Sequence, residues 1–163
     1  MTITRVPVSR PVLRALALVA LIASGCAHDT YQQRADAIKH HVENFYTHLK
    51  ANRVEAAIHE NQQIEAMADQ MADTVLIRAR LQGTSQVERE FALMKTARET
   101  AAQNWIALGQ YFAIKQQQDK ARASYQRVVD TYTNPAERAY REQALRALKD
   151  LDILSPATNS TTP

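Results

Sequence analysis

The fold is decided by two neighbouring stretches, Trp105-Ile106-Ala107-Leu108-Gly109-Gln110-Tyr111-Phe112 and Ala121-Arg122-Ala123-Ser124-Tyr125. Trp105, Leu108 and Phe112 recur at spacings of three and four residues, which places their side chains on one face of an α-helix. Gly109 and Ala121 are small, so two helices joined by a polar turn at residues 116–119 can approach closely there. The aromatic residues of both stretches would fill the space around that contact. We therefore predict a helical hairpin packed around Gly109.

The same residues resemble a tetratricopeptide repeat. The pattern of that family is Trp, two residues, Leu-Gly, two residues and Tyr, followed by Ala, three residues, Phe and a late Pro. Its matches here are Trp105, Leu108, Gly109, Phe112, Ala121, Tyr125 and Pro135, within residues 103–135. One repeat cannot bury its own apolar face, and stacks usually contain three or more. Either the earlier helices complete the stack in divergent form, or the chain is a helical bundle with one repeat-like hairpin.

Apolar residues at helical spacing continue on both sides and predict an all-α chain of about five antiparallel, hairpin-connected helices. The expected spans are 31–49, 54–81, 86–115, 120–132 and 135–153. Asn52 is expected to adopt a left-handed conformation between the first two helices. Asn61 is expected to fix the register of packed helices, and Arg98 to snorkel or to pair with an acid. The expected core faces include Val87, Phe91, Met94 and Ala101 of the third helix and Ala139, Ala144, Leu145, Leu148 and Leu151 of the fifth.

Residues 1–25 have the parts of an export signal. Arg5, Arg10 and Arg14 make a basic start without any acid, and an apolar run follows from Ala15 to Ala23. Small residues then precede Cys26, the single cysteine of the chain. These features are typical of a cleaved secretory signal, whereas a membrane span needs about 20 apolar residues. Residues 1–25 are therefore predicted to be a signal peptide.

The end of this segment, Ala23-Ser24-Gly25-Cys26, resembles the lipobox of bacterial lipoproteins. The resemblance implies that the chain is cut before Cys26 and that this cysteine carries diacylglycerol on its thiol and an acyl chain, such as palmitate, on its amino group. Several acyl chains make membrane attachment effectively permanent. Ala23 departs from the family, which prefers Leu or Val there, so an ordinary secretory signal is the alternative. Ala27, where an Asp would imply inner-membrane retention, implies the outer membrane.

The remaining chain is predicted to be one domain, residues 31–153, between a short anchor linker, 26–30, and a disordered tail, 154–163, that is rich in Ser, Thr and Pro. Three of the 20 lysines and arginines lie in the signal peptide, which leaves 17 against 17 aspartates and glutamates. The mature chain is therefore formally neutral. No basic run remains, so a nucleic-acid partner is not expected.

No group of residues has the spacing of an active site, and we expect no catalysis, no cofactor and no small-molecule substrate. The sequence has no second cysteine, no Gly-x-Ser-x-Gly and no Gly-rich phosphate loop. His41 and His48 share a helix face and would offer a metal site together with Glu43 or a residue of a partner. Exposed histidines on a solvated face are the simpler interpretation, and no metal site is predicted.

These expectations combine into an outer-membrane lipoprotein that faces the periplasm and binds an envelope protein or peptide as a helical adaptor. In the repeat family that the chain resembles, the first helix of each repeat lines a concave binding face. The corresponding residues here are Gln103, Ile106, Gln110, Ala113 and Ile114. Ile106 and Ile114 are the expected apolar anchors, unless the first or second helix buries them. The alternatives are a pilotin-like escort of a secretion subunit and a periplasmic metal-binding protein.

Overall fold

The computed structural model describes residues 26–81 and 84–154. They form α1 (Cys26–Lys50), α2 (Val54–Leu81), α3 (Thr84–Ile114), α4 (Gln118–Thr131), a 3-10 turn (Pro135–Glu137) and α5 (Arg138–Leu154). These residues contain no β-strand. From α2 onward each helix packs against the next, and α3 also packs against α5. The predicted all-α fold of about five helices is confirmed. Residues 1–25, 82–83 and 155–163, which include the predicted signal peptide and all but the first residue of the predicted tail, lie outside the described residues.

The first helix starts earlier than expected. α1 begins at Cys26, so residues 26–30 are helical and the prediction of a linker there is wrong. No Gly or Pro stands between Cys26 and Tyr31, and these residues therefore extend the helix at little cost. α1 crosses the boundary between two compact units, which lies between Ala37 and Ile38. The described part of the first unit is residues 26–37, and the second unit contains the rest of α1 and the other four helices.

Two connections depend on a residue with positive φ. Asn52 has φ 58°, as predicted, and the following Arg53 N–H donates to the carbonyl of His48 at 2.9 Å. Gln116 also has φ 58°, and the following Gln117 N–H donates to the carbonyl of Phe112 at 2.9 Å. Asparagine enters this region far more readily than most residues. The sequence therefore predicts the conformation of Asn52 but not that of Gln116.

α2 and α3 run antiparallel: Asn61, early in α2, bonds to Ala101 in the later part of α3, whereas Arg78, late in α2, pairs with Glu90 near the start of α3. Asn61 is fully buried. Its Nδ2 donates to the carbonyl of Ala101 at 3.1 Å, and its Oδ1 accepts from Asn104 Nδ2 at 2.9 Å. Leaving such a buried group without a partner costs about 1–3 kcal/mol. The amide therefore favours one register of α2 on α3, which is the role predicted for Asn61.

The contact between α3 and α4 centres on Gly109. All six residues expected around it are buried: Trp105, Leu108, Gly109, Phe112, Ala121 and Tyr125. A Cβ added to Gly109 would lie 2.5 Å from Cε1 and 2.7 Å from Cζ of Tyr125. The aromatic ring thus occupies the space that any other side chain at this position would need. Glycine allows α3 and α4 to approach as closely as they do.

Two predicted core faces are partly wrong. In α3, Phe91 is 51% exposed, while Glu90, Leu93 and Ala97 are buried. Glu90 can be part of the buried stripe because Arg78 of α2 pairs with it. A search for apolar periodicity misses this position because it counts only apolar residues. In α5 the buried residues are Ala144, Leu148 and Leu151, whereas Ala139 and Leu145 are exposed. In the 3-10 turn before α5, the buried residue is the acid Glu137 rather than an apolar residue.

Arg98 takes the second of its two predicted roles and pairs with acids of neighbouring elements. Its Nε donates to Glu137, and its Nη1 lies 3.6 Å from Asp69 of α2. The hydrogen bond to Glu137 raises the pKa of Arg98, so the guanidinium stays charged although it is only 28% exposed. Its Cζ also lies 5.4 Å from the centre of the Tyr132 ring. Arg98 therefore ties α3 to α2, to the end of α4 and to the turn before α5.

We predict that Gly109→Ala destabilises the protein by about 1–2 kcal/mol, because overpacking against Tyr125 exceeds the gain of about 1 kcal/mol in helix propensity. The free energy of unfolding, from urea denaturation, measures the effect. Tyr125→Leu should cost less stability in the Gly109→Ala variant than in the native protein, because it removes the ring atoms that clash with the new Cβ. A Gly109→Ala variant as stable as the native protein would contradict the prediction.

Candidate binding groove

A groove of about 630 Å³ lies between α2, α3 and α4. Its floor is apolar and comes from two helices. Val54 and Ile58, one turn apart at the start of α2, are half-buried. The floor residues of α3 are Trp105, Leu108 and Phe112. The volume is within the roughly 300–1,000 Å³ of typical ligand sites. Trp105, Leu108 and Phe112 are each at most 5% exposed, so the apolar surface that the groove offers to a ligand comes mainly from the half-buried Val54 and Ile58.

Charged side chains form the rim of the groove, and two of them cover its aromatic floor. The guanidinium Cζ of Arg127 lies 4.4 Å from the centre of the Trp105 ring, and Lys120 Nζ lies 5.5 Å from the centre of the Phe112 ring. Each such cation–π contact contributes about 0.5–1 kcal/mol at an exposed site. Two acids, Glu55 and Asp130, also line the rim. The rim therefore carries both signs of charge around an apolar centre.

Glu65 of α2 holds this side of the groove in place. One of its carboxylate oxygens accepts from Trp105 Nε1 at 2.8 Å and from the Tyr132 hydroxyl at 2.7 Å. The other accepts from Arg127 Nη2 at 2.8 Å. Burial raises the pKa of Tyr132, and the charge of Glu65 raises it further, so the phenol remains a donor. The carboxylate thereby connects α2 to α3 and α4 and fixes the orientation of the indole.

A second, more polar cavity of about 150 Å³ lies beside this network. Its lining is Glu65, Ala68, Asp69, Arg98, Arg127, Thr131 and Tyr132. The charged groups that border it bond to one another: Arg98 with Asp69, and Arg127 with Glu65. These groups already satisfy each other, so the cavity offers a ligand little that is free to bind.

None of the five residues predicted to bind a partner lines the groove. Ile106 is only 4% exposed, so the prediction that it anchors a partner is wrong. α5 also packs against α3, where Gln103 Nε2 and the Tyr140 hydroxyl lie 3.5 Å apart. Gln103 and Gln110 are exposed, Ala113 is half-buried and Ile114 is 81% exposed. The groove instead uses the other face of α3, which the sequence identified only as core.

The histidines of α1 meet an acid of α2. His41 Nδ1 lies 2.6 Å from one oxygen of Glu60, and His48 Nε2 lies 3.8 Å from the other. Burial alone would raise the pKa of Glu60, but the hydrogen bond and charge of His41 lower it overall. Glu43, the acid considered with these histidines, lies instead 3.9 Å from Lys39. Among the described residues, no group of three His, Cys, Asp or Glu could hold a metal ion.

No protein-family model, no curated protein and no solved structure matches this chain. Within residues 26–81 and 84–154, no helix is both long enough and apolar enough to cross a membrane. The groove, the contacts of Glu65 and the pairing of Glu60 with two histidines are therefore the features that bear on function.

We predict that Glu60→Gln destabilises the protein by about 1–2 kcal/mol near pH 6, because a charge-assisted hydrogen bond is lost. The lowered pKa means that folding favours the ionised acid. Its contribution is present above the unfolded pKa of about 4.3 and is lost as the pH falls through the lower folded value. The difference in unfolding free energy between the native protein and the variant should therefore shrink below pH 4.5.

Chemical denaturation at a series of pH values measures this difference. Glu43→Gln is the matched control, because Glu43 lies on the same helix pair but is 63% exposed, and its effect should stay small at every pH. A Glu60→Gln effect that is independent of pH would exclude a contribution from the ionised pair.

Proposed function

We propose that this protein is a lipoprotein of the bacterial outer membrane that faces the periplasm and acts as a helical adaptor, binding a peptide segment of an envelope protein in the groove between α2, α3 and α4. The observation that carries the proposal is the groove itself, in which the half-buried Val54 and Ile58 border an aromatic floor that Arg127 and Lys120 cover. The partners proposed are this envelope protein and, through acyl chains on Cys26, the membrane.

The chemistry of the groove favours a peptide with two or three apolar side chains. Val54 and Ile58 provide aliphatic contacts on one side, and the rings of Trp105 and Phe112 provide aromatic contacts on the floor. Helical and extended segments both present apolar residues at regular spacing to such surfaces. Glu65 already orients Trp105, and a peptide that contacts this ring has to move Arg127 aside, because the guanidinium lies over the indole.

The rim adds polar selectivity. Arg127 is already paired with Glu65, but Lys120 has no ion pair with any residue of the described chain. An acidic residue of the peptide next to its apolar anchors would meet this lysine. Glu55, on the opposite side, likewise has no hydrogen bond or ion pair within residues 26–81 and 84–154, and would favour a cation at the other end of the peptide.

Of the three described acids in or beside the groove, two are engaged by other side chains of the protein. Both oxygens of Glu65 accept hydrogen bonds, from Trp105, Tyr132 and Arg127, so this carboxylate is not available as a base. Asp130 lies on the rim and accepts a hydrogen bond from Gln126 at 2.9 Å. General acid–base chemistry needs a group poised to exchange a proton with a substrate, whereas these two carboxylates are engaged within the protein.

We predict that Ile58→Asp lowers partner binding at least tenfold, because it places a charge on the apolar floor. Affinity purification from detergent-solubilised envelopes identifies the protein retained by the native chain. Titration with peptides of that protein, followed by the fluorescence of Trp105, then measures binding at the groove, since this is the only tryptophan. Leu145→Asp is the control, because Leu145 is a 48% exposed apolar residue outside the groove.

The expected result is a fluorescence change with the native chain and with Leu145→Asp, and weak or no change with Ile58→Asp. Equal affinity of all three chains, with unchanged helicity, would remove the groove from the proposal. Because the variants differ only in the site of the new charge, a general effect of charge on solubility would appear in both.

The anchor is tested separately. We predict that the native protein, purified from its membrane, has a mass equal to the chain from Cys26 plus acyl groups, and that Cys26→Ser releases it from the outer-membrane fraction. Several acyl chains bind too tightly for exchange, whereas the unmodified chain has no anchor of this kind. An unmodified amino terminus or a free thiol on Cys26 would refute the lipoprotein assignment without affecting the groove.

A further inference from the structure

A second surface lies near the end of α2, far along the helix from the groove. Leu76 and Ile77 are consecutive and are 65% and 60% exposed. They line a hollow of about 450 Å³ together with Asp73 and Arg80. Positions 73, 76, 77 and 80 follow the spacing that places residues on one face of a helix. The surface formed by these four residues is called the α2 stripe below.

The charges of the α2 stripe are unpaired. Neither Asp73 nor Arg80 has a hydrogen bond or ion pair with any residue of the described chain, and both are exposed. By contrast, Arg78, between them on another face, pairs with Glu90 of α3. Asp73 and Arg80 thus flank two exposed apolar residues, one at each end, and neither has a partner within residues 26–81 and 84–154.

The order of residues along the α2 stripe is self-complementary. If a second copy of α2 lies antiparallel across it, a two-fold axis passes between Leu76 and Ile77. Leu76 of each copy then faces Ile77 of the other, and Asp73 of each copy faces Arg80 of the other. Two Leu–Ile contacts and two ion pairs form together, as an isologous interface requires. A parallel arrangement would place like charges opposite each other, which is unfavourable.

We infer that two copies of this chain associate antiparallel through the α2 stripe. Phe91 of α3, 51% exposed, is a further exposed apolar residue at this end of the hairpin, where Arg78 of α2 pairs with the adjacent Glu90. Four stripe residues on each copy form a much smaller contact than stable interfaces, which bury roughly 1,200–2,000 Å². The dimer is therefore weak in solution, and its population rises with the local concentration of the chain.

Charge reversal provides the test. Asp73→Arg places two arginines opposite each other in the dimer, and Arg80→Asp places two aspartates opposite each other, so each variant should dimerise at least tenfold more weakly than the native chain. In an equimolar mixture the arginines of the first variant face the aspartates of the second at both ends. Dimers should therefore reappear in the mixture, as mixed pairs.

The measurement is sedimentation equilibrium of the full chain in density-matched detergent, from micromolar to millimolar protein. Ile77→Asp should also abolish dimers, whereas Ile153→Asp should not, because Ile153 is an equally exposed isoleucine of α5, at 66%, outside the stripe. Circular dichroism verifies that each variant is folded.

Three results would overturn the inference: a native chain that stays monomeric to millimolar concentration, dimers that neither reversal weakens, or a mixture of reversals that stays monomeric. The outcome is independent of the groove, because no residue of the α2 stripe lines it. Peptide binding followed by Trp105 fluorescence should be the same in Asp73→Arg as in the native chain.

Discussion

The close approach of α3 to α4 at Gly109 is the constraint on which the rest of the structure depends. The ring of Tyr125 occupies the space beside this glycine, so the two helices can come this close only because Gly109 has no side chain. Trp105 and Phe112 lie roughly one turn to either side of Gly109. Their rings therefore stay at the junction of α2, α3 and α4, where they form the floor of the groove. A wider separation of α3 and α4 would move these rings apart and change the shape of the groove floor.

A mainly buried carboxylate then fixes the orientation of that floor. Glu65 is 16% exposed and accepts hydrogen bonds from three residues on α3 and at the end of α4. A carboxylate in such a place costs free energy unless donors surround it, so its bonding geometry is demanding. Trp105 and Arg127 are consequently held in one arrangement. Asn61, one turn earlier on α2, acts similarly deeper in the core, where its amide selects the register of α3.

The two proposed surfaces lie at opposite ends of α2 and are compatible with each other. Ile58 in the groove and Leu76 in the α2 stripe are separated by 18 residues, which corresponds to about 27 Å along a helix. A peptide in one groove would therefore not obstruct association through the stripe. A pair of chains would present two grooves, and two linked sites hold a partner with repeated segments more firmly than one site does. This consequence depends on both proposals.

The sequence by itself determined the helices, because apolar spacing and turn residues are local signals. It placed α2 at its observed bounds, predicted the conformation of Asn52 and marked Gly109 as a point of close approach. Only the tertiary structure decided which face of α3 lines the groove. Ile106 is buried by the packing of the helices around α3, and Glu90 is buried where Arg78 reaches it from α2. Both depend on residues distant in the chain, whose meeting no local spacing encodes.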